Sequence, residues 1–93
     1  MRKAIHGSEQ EWLTARLRKA RTDAGLRQTD VAERLGTPQS FVSKYEIGER
    51  RLDLVELAQV CDALGIELTE LVKQFEKAAR GGRQRSRSVT RKR

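Results

Sequence analysis

The sequence predicts an all-α domain of five helices followed by a disordered basic tail. Three observations carry this reading. Apolar residues recur at helical spacing in five successive stretches. Glycines stand just past the ends of three of them, at Gly25, Gly36 and Gly65, where a chain leaves a helix in the left-handed conformation. Two pairs, Ser8/Glu11 and Asp53/Glu56, have the spacing of a capping box, in which each side chain bonds the other residue's free backbone N–H.

Taken in order, Ser8 is expected to open the first helix, leaving 1–7 as a flexible arm. Trp12, Leu13, Arg16, Leu17 and Ala20 form one face of that helix, and Gly25 ends it. A second helix fits Gln28–Leu35, with Val31, Ala32 and Leu35 inward and Gly36 as its stop. Thr37-Pro38 reads as the N-cap and first residue of the third helix, since proline's missing N–H costs nothing at that position. This helix runs to Tyr45 or Glu46 with Val42 and Tyr45 inward, and a polar loop follows from Ile47 to Arg51. Asp53 starts the fourth helix, whose stripe is Leu54, Leu57, Ala58, Cys61 and Leu64, and Gly65 stops it. A shorter fifth helix carries Leu68, Leu71, Val72 and Phe75. The folded unit is therefore expected over 8–79, and 80–93 as a tail too charged and too poor in apolar residues to offset its ordering entropy.

Ninety-three residues, 37% hydrophobic and 35% charged, suit one small helical domain with a wet surface. No apolar run approaches the roughly 20 residues of a membrane span, and Met1–Gly7 lacks the hydrophobic stretch of a secretory signal. The lone Cys61 allows no internal disulfide, which points to a reducing cytoplasm. It sits on an apolar stripe and reads as a small buried hydrophobe. His6 has no Cys or acid cluster beside it, so no metal is expected. No nucleophile–base pair or phosphate-cradling glycine loop is visible, so no enzyme and no cofactor are expected either.

The formal net charge is +7, but its position decides what it means. Seven of the 20 basic residues lie in 80–93, where there is no acid. Residues 1–79 thus carry 13 charges of each sign and no net charge. The high pI is no argument that the folded part binds nucleic acid. That argument rests on the segment from Gln28 to Ile47, two short helices joined by a tight turn. Ala32 is small where the helices must cross, Gly36 occupies the turn, and Val42 and Tyr45 pin the second helix to the core. Gln39, Ser40, Ser43 and Lys44 are left facing outward.

These offsets make the sequence resemble the λ-repressor and Cro-like helix-turn-helix regulators, also called the xenobiotic-response-element (XRE) family. The resemblance covers Leu13 to Phe75. It rests on L-x-x-A-R from Leu17, G-L-x-Q from Gly25, V-A-x-x-L-G from Val31, Q-S-F-V-S-K-Y-E from Gln39 and A-L-G-I-x-L from Ala63. It implies a five-helix λ-repressor-like domain whose third helix enters the major groove of double-stranded DNA. By position it implies base reading by Gln39, which can bond adenine in a bidentate way, with Ser40, Ser43 and Lys44 as further readers. Gln28 resembles the family's phosphate-binding glutamine and is placed to brace Gln39. Arg27, Thr29, Arg50 and Arg51 complete the expected phosphate contacts. Arg21 and Glu46 match a structural ion pair between the first and third helices. Arg27 departs from the family's usual Ser or Thr cap, a loss worth about 0.5–2 kcal/mol.

The function expected is transcriptional regulation, as a repressor reading a palindromic or pseudo-palindromic operator as a homodimer. Leu71, Val72 and Phe75, with the loop before the fourth helix, are the expected dimer surface. The protein is expected in the cytoplasm, and at the nucleoid when bound to DNA. The rivals are a protein-interaction module, such as an antitoxin or coactivator with a protein partner, and an RNA-binding adaptor acting through the tail. The tail itself has three readings: a phosphate grip, a site for RNA or an acidic protein, or a solubilising extension. Phe41 has two, packing between helices or touching a thymine methyl, of which packing is favoured.

Overall fold

The computed structural model describes residues 3–83 and shows five helices. They are α1 (Lys3–Asp23), α2 (Gln28–Leu35), α3 (Gln39–Glu46), α4 (Leu54–Leu64) and α5 (Leu68–Arg83). The last ten residues of the expected tail, 84–93, lie outside the described residues, as do the first two of the expected arm.

One core joins all five helices. Leu17 and Ala20 enter it from α1, Val31 and Ala32 from α2, Val42 and Tyr45 from α3, Val60, Cys61, Ala63 and Leu64 from α4, and Leu71 from α5. The inward faces expected for α1, α2 and α3 are thus the buried ones, with Trp12, Leu13 and Leu35 packed against the core's edge. Phe41 also packs there, meeting Tyr45 edge-on at 5.7 Å between ring centres. Cys61 is 1% exposed, and its apolar surroundings push the thiol's pKa up, as befits an unreactive packing residue.

Four sequence expectations need correction. Helix α1 is already under way at Lys3, so Ser8 lies inside it and caps nothing. No proline precedes Ser8, and one glycine at position 7 costs a helix only about 1 kcal/mol. The N-cap of α3 is Pro38, with extended ψ of 155°, rather than Thr37. The Thr37 hydroxyl is buried with no protein partner among the described residues. Leu54 is not on the inner stripe of α4 but 67% exposed, and Val60, which the stripe omitted, is fully buried. Finally, α5 continues through Gly81 to Arg83, because it lies along α1. Trp12 and Phe75 meet edge-on at 5.8 Å, Arg16 donates to Gln74 at 2.8 Å, and Ala79 is buried.

The helix ends show why the turns hold. Gly36 closes α2 at φ 70°, a left-handed conformation costly to any residue with a Cβ. Its N–H and that of Thr37 return to the carbonyls of Glu33 and Ala32, satisfying two of the helix's free acceptors. At α4 the capping box forms as expected: the Glu56 N–H donates to Asp53 at 2.7 Å, and the Asp53 N–H donates to Glu56 at 3.0 Å. Asp53→Ala is expected to lower stability by about 0.5–2 kcal/mol, measured by urea unfolding at neutral pH. A change under about 0.3 kcal/mol would mean that Glu56 alone secures the turn.

The α2 start uses half of the same device. Arginine has no acceptor with which to cap, but Asp30 reaches back to the Arg27 N–H at 2.8 Å and to its guanidinium at 3.0 and 3.2 Å. These bonds, first from the side chain and then from the amide, lower the Asp30 pKa to about 2. A depressed carboxylate adds stability above its unfolded pKa, near about 4, and loses it as pH falls through the folded value. Asp30→Asn is therefore expected to be the less stable protein at pH 7, with the two unfolding curves converging as pH falls from about 4 to 2. Parallel pH dependences in thermal melts would exclude this role.

Candidate nucleic-acid interface

The α2–turn–α3 unit presents one surface, and a chain of hydrogen bonds organises it from beneath. At its base is Glu46, the last residue of α3, whose side chain is 3% exposed. Arg21, at the last turn of α1, grips it with both arms of the guanidinium, Nε to Oε2 at 2.6 Å and Nη2 to Oε1 at 3.0 Å. The remaining arm, Nη1, donates to the Leu26 carbonyl at 2.9 Å, locking the α1–α2 loop to the same group. The carboxylate next to it holds the Arg21 pKa above its ordinary value, with the hydrogen bond the leading cause. The charge is thus paired where burial alone would penalise it.

The network continues outward. Gln28, the first residue of α2, donates Nε2 to the same Glu46 Oε1 at 3.0 Å. Its own Oε1 accepts from Gln39 Nε2 at 3.1 Å. Four side chains from three helices therefore run in series from a buried ion pair to an exposed amide at the N-terminus of α3. An amide's O and N look alike, but the order of partners settles them: Gln28 must offer its NH2 to the carboxylate, which leaves its oxygen for Gln39. Gln39 keeps its oxygen and one N–H for an external partner.

The other expected readers occupy the same face. Ser40 and Lys44 are exposed, and Ser43 is half-buried, its hydroxyl donating to the Ser40 carbonyl at 3.3 Å. Thr29 is exposed beside Gln28 at the start of α2. Arg27 is also largely in solvent, 80% exposed over its side chain even while paired with Asp30. Arg51 is exposed, with no ion pair among the described residues.

Two expectations do not survive as made. Arg50 does not stand free for a phosphate. It donates to both oxygens of Glu56, at 3.2 and 2.7 Å, and to the Arg51 carbonyl at 2.7 Å, and its guanidinium carbon lies 4.7 Å from the Phe41 ring centre. It clips the α3–α4 loop to both helices. Leu71 cannot serve a dimer surface, because it is 2% exposed in the core. Phe75 is half-buried against Trp12, which leaves Val72 as the only member of that trio open to solvent, at 40%. Among the described residues, the large apolar side chains most exposed lie elsewhere, at Ile47, Leu54 and Val55. Ile47 lies in the loop before the fourth helix, whereas Leu54, by spacing, fits the stripe of Leu57 and Cys61 and yet stands in solvent as the first residue of α4.

Among the described residues no three His, Cys, Asp or Glu side chains gather as a metal site, and no helix is long and apolar enough to cross a membrane.

Comparison with known proteins gives this surface a family. The helix-turn-helix family profile matches residues 17–71. The chain is 37% identical over 62 residues to the control protein C.MunI of a Mycoplasma species, covering 67% of this chain and 81% of that protein. It is 38% identical over 58 residues to YonR, an uncharacterised HTH-type transcriptional regulator derived from the SPbeta prophage of Bacillus subtilis, covering 62% of this chain and 54% of that protein. Among solved structures, an XRE-family-like protein from Pseudomonas syringae pv. tomato superposes with a TM-score of 0.78 at 42% identity, over 82% of this chain and 93% of that one. With its five helices, its Gln28–Ile47 motif and these relatives, the chain belongs to the XRE family of helix-turn-helix transcriptional regulators.

Proposed function

We propose that this protein is a repressor that binds a palindromic or pseudo-palindromic operator as a homodimer, reading bases with α3. The observation that carries this is the series of bonds from Arg21 through Glu46 and Gln28 to Gln39. A solvated surface glutamine has no need of three supporting side chains. One that must meet a base edge does, since a bidentate contact with adenine tolerates little error in position. Ser40, Ser43 and Lys44 extend the reading along the groove. Gln28, Thr29 and the free amides at the α2 N-terminus meet the phosphate beside it, with Arg27 and Arg51 as further backbone contacts. The site is then the cytoplasm, at the nucleoid.

The balanced charge of 1–79 supports a distinct role for the tail. Base reading needs few net charges, whereas affinity scales with phosphates neutralised. Five basic residues follow Gly82-Arg83 and add that grip without sequence information.

The test is selection from a random duplex library at about 150 mM salt, with the full chain and with a chain ending at Arg83. Both are expected to enrich one palindrome. The shortened chain should bind more weakly, with its log–log salt slope reduced by up to about 4. Failure of both to enrich a motif would remove the operator reading. Binding that disappears entirely with the tail would instead favour the RNA-adaptor reading, and a tight complex with a second protein formed without DNA would favour an antitoxin-like one.

A further inference from the structure

We infer that Glu46, buried beneath the reading surface, is a specificity-determining residue: it fixes which way round the Gln28 and Gln39 amides point, and so sets the choice between adenine and guanine. This role rests on base reading by Gln39 and makes Glu46 its positioning residue, at the far end of the hydrogen-bonded series.

Donors and acceptors along the series admit one order. Arg21 turns two donors to Glu46, at 2.6 and 3.0 Å, and Gln28 is the third group on that carboxylate, 3.0 Å from Oε1. A carboxylate paired with arginine has only acceptors to offer. Gln28 must therefore point its NH2 inward, which leaves its oxygen for the Gln39 NH2 at 3.1 Å. Turning the Gln28 amide over would set its oxygen against a charged oxygen on a side chain 3% exposed, and would lose a charge-assisted bond. The direction of the series is thus decided at its buried end.

The outer end inherits that direction. Among the described residues Gln28 supplies the one side-chain bond to Gln39, and with one N–H spent on it Gln39 presents its oxygen and a single N–H. Adenine offers the complement in the major groove, the N6–H donor and the N7 acceptor. Guanine offers two acceptors, N7 and O6, so one of them would face the Gln39 oxygen. In a reversed series the Gln39 oxygen would turn inward to accept from Gln28. Both of its N–H groups would then be free, and two donors suit guanine. Stability gives little reason for a charged pair at this site, since well-packed apolar side chains in place of a buried ion pair are often as stable or more so. An apolar pair, however, would leave the two amides undirected.

The test is competition binding of the full chain at about 150 mM salt, giving the ratio of affinities for adenine and guanine at each pair of the motif that wild type selects. Gln39→Ala marks the pair that Gln39 reads. Wild type should prefer adenine there by about 10-fold or more, within the worth of a bidentate contact. Arg21→Met with Glu46→Leu frees the amides to populate both directions, and should lower that ratio at least about 3-fold while preferences at the other pairs stay as they are. Arg21→Glu with Glu46→Arg keeps an ion pair but turns donors toward Gln28, and should bring the ratio to parity or favour guanine. Thermal melts establish that each variant is folded, and the apolar pair carries the test if the exchanged pair does not fold. In the presence of Gln28→Ala neither change to the Arg21–Glu46 pair should move the ratio, because the route outward is cut. A folded apolar pair with the wild-type ratio at that position, or with an equal change at every position, overturns the inference and leaves the operator reading standing. Selection of no motif by wild type removes the operator reading and this inference with it.

Discussion

Glu46→Ala is expected to lower stability by about 3–5 kcal/mol, the largest effect of any single polar substitution in this domain. The residue is buried, and its removal leaves Arg21 charged and unpaired at a site 12% exposed while also freeing the donor of Gln28. In a domain of this size each kcal/mol moves the melting temperature by about 4–8 °C, so a fall of more than about 12 °C should be seen by calorimetry. The reason for the size is the asymmetry of buried charge: the pair's net worth is small, whereas half a pair is costly. Arg21→Met with Glu46→Leu therefore makes a sharper test. That double variant should recover most of the lost stability, because it removes both charges together. It should not recover function, since Gln28 then has nothing to anchor it and Gln39 is no longer held. A double variant with wild-type discrimination between operators would show that the series of bonds serves the fold alone.

Gln39→Ala should leave folding unchanged and reduce discrimination at one base pair by about 1–3 kcal/mol, the worth of a good bidentate contact. Its side chain is exposed and bears no packing load. Gln28→Ala is expected to have an intermediate effect, because Gln39 would keep its chemistry but lose its 3.1 Å support. Competition binding against duplexes altered at single positions separates the two. Gln39→Ala should flatten the preference at one position in each half-site, whereas Gln28→Ala should weaken all sequences by losing a phosphate contact and blunt that preference only in part. Uniform weakening by both would move Gln39 from base reading to backbone contact. Lys44→Ala adds a check at the opposite end of α3, and its effect should combine additively with that of Gln39→Ala if the two read separate base pairs.

The parts of this protein legible in its residues are those governed by local physics. Helical periodicity, glycines at left-handed positions and the Asp53–Glu56 pair locate α2 and α4, and the sharp turn at Gly36, because each depends on residues within one or two turns of one another. The outward face of α3 is legible for the same reason: Val42 and Tyr45 must go inward, so Gln39, Ser40 and Lys44 go out. Local signals failed at several points. Ser8–Glu11 has the spacing of a cap, yet the helix does not begin there. Leu54 has the spacing of a core residue, yet as the first residue of α4 it is 67% exposed. Leu71 and Phe75 look alike on a helical wheel, but one enters the core and the other lies against Trp12. Tertiary structure alone decided that Arg50 pairs with Glu56 and covers Phe41. The resemblance implied the Arg21–Glu46 and Gln28–Gln39 contacts, and only the tertiary structure added the Gln28–Glu46 bond that joins them into one line of support. The physical reason is that a pattern along the chain records which residues prefer burial or a cap, whereas the partner each one obtains depends on how the helices cross.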